Sequence, residues 1–461
     1  MSKNGLFDEF PEVSAKEWKQ KIQFDLQGAD YNDTLVWESP EGIKVKPFYH
    51  ADDLKGESFL PPTDNNNWNI GQAIYAGNAQ LANKKALDAI ARGAESLVFT
   101  IPFKDIPITL LLENIDVANV KLYFDFHFLS PNYIKSVLDF TKSNASNIFL
   151  NIDIIGHLAR NGNWFFNLKK DHSFLEEIIG LKHNNTISID VSLYQNAGAN
   201  MVQQLAYAMA HANEYLNHFH HVIPSGVEGS NTITFKIAVG SNYFFEIAKL
   251  KAMRLLWGSL ALEYGINTDC HILAIPTKRN KTLYAYNANM LRTTTECMSA
   301  VLGGADTICN LPYDAIYHKD NEFGERIARN QLLLLKNESY FNEVSSAAEG
   351  SYYIESLTQQ LAEKALILFK SIEAGGGFLK QLKSHTLQQK IKESAQKEQE
   401  KFNTKTEILV GANAYQNKND KMKDTIELYP FVKSKPVKTL LEPIIEKRLA
   451  EALEQKRLKD E

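Results

Sequence analysis

Cysteine is scarce in this chain. Cys270, Cys297 and Cys309 are the only three among 461 residues, they lie far apart, and no Cys-x-x-Cys pair occurs. This excludes a disulfide framework and a paired-cysteine zinc site, and it suits a reducing compartment. Long apolar runs are missing too. No segment approaches the ~18 apolar residues of a membrane-crossing helix. The first ten residues, Met1 to Phe10, carry acids early and have no signal-peptide core. Neither sign of charge dominates: 50 Lys and Arg stand against 55 Asp and Glu, for a formal net charge of -5. Nothing electrostatic therefore points to nucleic acid or an anionic membrane as a partner. The expected location is cytoplasmic. Phosphate-cradling Gly-x-x-x-x-Gly-Lys-Ser/Thr loops, dinucleotide-binding glycine fingerprints and Gly-x-Ser-x-Gly elbows are all lacking. Sequence support for a nucleotide hydrolase, a dehydrogenase or a serine hydrolase goes with them.

What is present reads as a globular α/β protein with an arm at each end. Residues 1–65 hold Phe7, Phe10, Trp18, Trp37 and Phe59 among Pro40, Pro47, Pro61 and Pro62. Ser14 with Glu17 three residues on predicts a capping box and a short helix. Such an arm suits a strap over another surface, here read as a partner contact, with packing on its own domain as the alternative. Over 66–377, short β-rich runs fall at 97–101, 122–126, 148–152, 187–191, 233–237, 271–275 and 307–309, with a weaker eighth at Tyr340-Phe341. Amphipathic stretches at 79–92, 199–218, 242–262, 289–302, 323–337 and 354–373 separate them. Alternation of this kind predicts a parallel sheet with helical crossovers; eight such units fit a (β/α)8 barrel of TIM type best, with an open doubly wound sheet as the alternative. Gly375-Gly376-Gly377 closes that region. Residues 378–461 read as a helical extension or linker, with one strand at 407–413 and a solvated helix of mixed charge from Leu440 to Glu461. His211, Glu214, His218 and His221 share one helix face, a conceivable zinc set. The His-Glu-x-x-His pattern is absent, however, and the face is read as solvated.

The most specific segment is Val191-Ser192-Leu193-Tyr194-Gln195-Asn196-Ala197-Gly198-Ala199-Asn200. It resembles the active-site loop of the acyl-CoA mutases that use adenosylcobalamin, Tyr-His-x-Gln-Glu-Ala-Gly-Ala. Gln195, Ala197, Gly198 and Ala199 fix the register, which puts Leu193 at the family's catalytic histidine and Asn196 at its glutamate. Phe244 to Trp257, Asn289 to Glu296, Ala300 to Asp306, Ala328 to Gln331 and Gly350 to Thr358 resemble further family segments in the same order. The resemblance implies the family's barrel, with Arg254, Arg292 and Arg329 either holding coenzyme A phosphates or pairing with nearby acids.

The departures carry as much weight. Leucine can neither donate nor accept a hydrogen bond, so Leu193 cannot do the histidine's work. Asp153 to Gly162 stands where the family has Thr-x-Gln-Asn-Asp. For the cobalt-ligating Asp-x-His-x-x-Gly, the near misses at His127 and His271 lack the glycine and are placed in barrel strands. The pattern resembles the small chain of the two-subunit methylmalonyl-CoA mutases, in a version without the cobalamin domain. That implies a chain with no catalytic, cofactor or metal residues of its own. Its homologous catalytic large subunit would bind the acyl-CoA and carry adenosylcobalamin, and the heterodimer would interconvert methylmalonyl-CoA and succinyl-CoA. The alternative is an active acyl-CoA mutase half that uses a separate cobalamin-binding polypeptide; a barrel recruited to another binding role is a third reading.

Overall fold

The structure, a computed structural model, describes residues 9–11, 13–54, 66–141, 145–222, 232–433 and 437–461. Phe7, Phe59, Pro61, Pro62 and the side chain of His221 lie outside the described residues.

Eight parallel strands build the centre: β1 (Asn69–Tyr75), β2 (Ser96–Ile101), β3 (Lys121–Phe126), β4 (Ile148–Phe149), β5 (Ser188–Asp190), β6 (Thr234–Val239), β7 (His271–Pro276) and β8 (Thr307–Cys309). They pair in the order β4-β3-β2-β1-β8-β7-β6-β5. A parallel bridge between Ile152 and Ile187, beside a Leu150 N–H to Asn185 carbonyl bond of 2.9 Å, joins the two ends of that row. The sheet is thereby a closed (β/α)8 barrel without free edges. Period-two alternation decides what faces where. Leu97, Phe99, Leu122, Phe124, Phe235 and Ile272 face outward into the large core shared with the helices, whereas Val98, Tyr123, Phe149, Leu273 and Cys309 form a separate cluster inside the barrel.

Two strand expectations need correction. Tyr340-Phe341 is not a strand; it lies in the turns after the helix Glu322–Asn337, with Tyr340 at φ 56. The eighth strand is β1, with Gly71 and Ala73 at the two central positions of its inward face. A Cβ on Gly71 would come within 3.1 Å of Cys309 Cβ, so β1 and β8 approach closely only because Gly71 has none. The segment 407–413 is also not a strand. The Asn413 side chain takes the Leu409 N–H and donates to the carbonyls of Phe402 and Glu407, folding the segment into a turn.

The two ends behave differently. The predicted capping box is present, and the helix Ala15–Asp25 that it starts has no buried residue. Farther along, the arm packs on its own barrel: Ile43 is fully buried, Trp37 lies 5.8 Å from Phe245, and Tyr49 lies 5.0 Å from Tyr353. At the other end the expected solvated helix is corrected to an extended segment, followed by the short helix Glu451–Lys459. Leu441, Ile444, Leu449 and Ala450 are buried. The Leu440 and Leu441 N–H groups bond to Gly162, Ile444 to Ala159, Lys447 to Asn196 and Leu449 to Arg279. Backbone donors used in this way cannot close helical turns. Among the described residues, no helix is long and apolar enough to cross a membrane.

Candidate functional site

Inward side chains stack in levels along the barrel axis, as they do in barrels of this kind. The middle level is packed shut. The Tyr123 ring stacks on Phe149 at 4.5 Å, Phe149 meets His271 at 4.4 Å, and the Tyr123 hydroxyl sits 2.7 Å from both His271 Nε2 and Thr307 Oγ1. Burial pushes the His271 imidazole down to about 4, so it is neutral around pH 7 and serves as a hydrogen-bonding filler.

One level higher, at the carboxyl ends of the strands, the lining turns polar. Lys236 Nζ lies 2.6 Å from Asp125, and Asn151 donates to the same carboxylate at 2.8 Å. Arg160, on the helix Ile154–Asn161, lies 2.7 Å from Asp190 and 2.7 Å from Glu446. Burial disfavours the charge on Lys236, but Asp125 and Asp190 outweigh it and hold the ammonium charged above its ordinary range. Burial likewise raises the Asp190 carboxyl, and Arg160 and Lys236 more than reverse this, leaving it below the usual value. These pairs line a cavity of about 540 Å³ together with His127, His157, Asn196 and Lys278. Its size and its place at the strand carboxyl ends fit a small-ligand site of a barrel. His157 is pushed down to about 4 by burial and stacks on Phe165.

The residues expected from sequence distribute unevenly around this cavity. Leu193 does not line it. The supposed loop is a short helix, Ser192–Asn196, and Leu193 is buried in the main hydrophobic core. Tyr194 and Gln195 are spent on scaffolding, the first 2.9 Å from His211 Nδ1 and the second 3.2 Å from Glu246 and 2.9 Å from Lys249. From that motif Ser192 and Asn196 reach the cavity wall. His127 stands just past β3 at the exposed rim, which corrects its placement inside a strand; His271 is within β7 as expected. The face of His211 is not solvated. His211 is fully buried, 2.9 Å from Asp153, and Glu214 accepts the Leu379 N–H. No group of three or more His, Cys, Asp or Glu among the described residues could hold a metal ion.

The three arginines considered for phosphates lie away from the cavity. Arg254 pairs with Asp306 at 2.8 Å, Arg292 bonds to Thr282, Asn289 and the Val410 carbonyl, and Arg329 bonds to Gln72. Sequence reasoning missed Arg160, Lys236, Asp190 and Glu446. A signal existed for two of them, since Asp190 and Lys236 are charges at inward positions of otherwise apolar strands. Arg160 and Glu446 are 286 residues apart and gave none.

Fold and site together define a (β/α)8 barrel of the enzyme-bearing kind, with its axis filled and a self-paired charged mouth. The family model described as methylmalonyl-CoA mutase matches residues 141–458, and the chain belongs to that family. It is 34% identical to the methylmalonyl-CoA mutase small subunit of Porphyromonas gingivalis, over 92% of this chain and 73% of that one. Against the small subunit of Streptomyces virginiae the identity is 26%, over 89% and 71%. Against the large subunit of the same organism it is 25%, over 91% and 64%. The chain thus spans about two thirds to three quarters of the length of these relatives.

Proposed function

We propose that this chain is the non-catalytic small subunit of an adenosylcobalamin-dependent methylmalonyl-CoA mutase complex. A homologous large subunit would bind the acyl-CoA and carry the cofactor, and the heterodimer would interconvert methylmalonyl-CoA and succinyl-CoA. The observation that carries this reading is Leu193: it stands in the register of the family's catalytic histidine, apolar and buried in the core. The filled axis agrees, because Tyr123, Phe149 and His271 leave no passage for a long acyl-CoA through the barrel.

In this reading the mouth does not receive the corrin. The segment carrying Glu446 is tied to Ala159, Asn196 and Arg279 around the opening. His271 is engaged by Tyr123 within the axis, which leaves its imidazole unable to reach a metal at the rim. In this reading residues 1–65 serve as an arm toward the large subunit, 66–377 as the barrel and 378–461 as an extension that closes its mouth. Exposed Trp18 and Phe24 on the helix Ala15–Asp25 support the arm's role, since two large aromatics at one chain end gain from burial by another surface. The test is co-expression with a large subunit: a one-to-one complex is expected, with turnover in the complex and none in this chain alone.

A further inference from the structure

We propose that the barrel mouth contains a carboxylate-binding site, built by Arg160 and Asn196, which the chain fills with its own Glu446. Both oxygens of that side chain are claimed by donors from the barrel. Glu446 Oε2 accepts from Arg160 Nη1 at 2.7 Å, and Oε1 accepts from Asn196 Nδ2 at 2.9 Å. A guanidinium on one oxygen and an amide on the other make a charge-assisted cradle for a single carboxylate.

The cradle is held in place by contacts that do not involve Glu446. Arg160 Nη2 is anchored on Asp190 at 2.7 Å. Asn196 Oδ1 accepts from the Thr277 hydroxyl at 2.8 Å and from the Lys278 N–H at 2.9 Å, which turns its amide nitrogen toward Glu446. The occupant is delivered by contacts that do not use its own side chain: the Ile444, Lys447 and Leu449 N–H groups bond to Ala159, Asn196 and Arg279, and the Arg279 guanidinium donates to the Lys447 carbonyl. Removing the Glu446 side chain therefore leaves the strap attached. It also leaves Arg160 with one carboxylate instead of two, beside a cavity of about 540 Å³ that is already open. The chemical class that restores the balance is a small monocarboxylic acid, with acetate as the simplest probe. This inference stands on the mouth alone and requires neither the large subunit nor its activity.

Thermal melting of the full chain tests it, in sodium acetate against sodium chloride at matched ionic strength. In Glu446→Ala, acetate is expected to raise the melting temperature by about 1–2 °C at tenfold its dissociation constant. The unsubstituted chain, whose site is filled, is expected to show no difference between the salts. Adding Arg160→Lys, which keeps the charge but loses the fork, is expected to abolish the acetate response. A folded Glu446→Ala variant that responds equally to both salts, or no more than the unsubstituted chain, overturns the proposal. Glu446→Ser is read the same way if the alanine variant does not fold.

Discussion

The helix at each end of this chain is dense in charge, and the two meet opposite fates. No residue of Ala15–Asp25 is buried. Glu451–Lys459, of similar composition, has Glu451 and Glu454 buried, and Arg448 just before it is buried as well. The difference lies in the partners that the fold supplies. Arg448 lies 2.5 Å from Glu454 and donates to the carbonyls of Lys281 and Pro430; Glu454 also takes the Leu283 N–H, and Glu451 that of Val432. On the N-terminal helix the ion pair among the described residues, Lys21 with Asp25, is exposed. Charge density alone therefore says little about burial; a charge can be buried where its bonds are complete.

Breaking the buried end has the largest expected effect. Arg448→Ala strands Glu454 without its cation and should cost about 3–5 kcal/mol. Lys21→Ala, the matched change at the exposed end, should leave the urea midpoint where it is. Equal losses in the two variants would erase the distinction between the ends.

Acid separates both helices from the barrel between them. Burial holds His157 and His271 at about 4, against roughly 6.5 in an unfolded chain. The unfolded state binds these protons first, so their contribution is complete above pH ~6.5 and is lost as pH falls toward 4. The loss is on the order of 2–3 kcal/mol for a fully buried imidazole. Urea midpoints measured from pH 7 to 4.5 should fall, and His271→Gln should make the decline shallower. A flat profile in the unsubstituted chain would contradict the neutral, buried imidazoles.

Trp18→Ala should also change the stability of the isolated chain little, within about 0.5 kcal/mol. Its consequence should appear in association instead, where loss of a central aromatic contact weakens binding by about 2 kcal/mol or more. Equilibrium sedimentation with the large subunit reads this directly. Unchanged affinity would leave the arm without its proposed role.

Much of the barrel was legible because a strand buried between helices and axis is written as short apolar runs, and β2 to β8 carry that pattern. The first strand was not, since Gly71, which faces a neighbour too close for a side chain, and the small Ala73 break the apolar run. The C-terminal end was misread for a related reason. Arg448, Glu451 and Glu454 look like solvated charges until the carbonyls and N–H groups of distant loops are in place beside them. At the site, the sequence exposed the substitution at Leu193 but not the cluster around Arg160, whose members come from two helices, the ends of separate strands and a strap far along the chain. Register against a family motif located the missing histidine; only the folded chain places Glu446 in the mouth.

The measurement that bears most directly on the central claim is mutase turnover of methylmalonyl-CoA with adenosylcobalamin added, for this chain alone and for its purified complex with a large subunit. The account predicts a one-to-one complex that turns over and an isolated chain that does not. Succinyl-CoA formed by the isolated chain would contradict it.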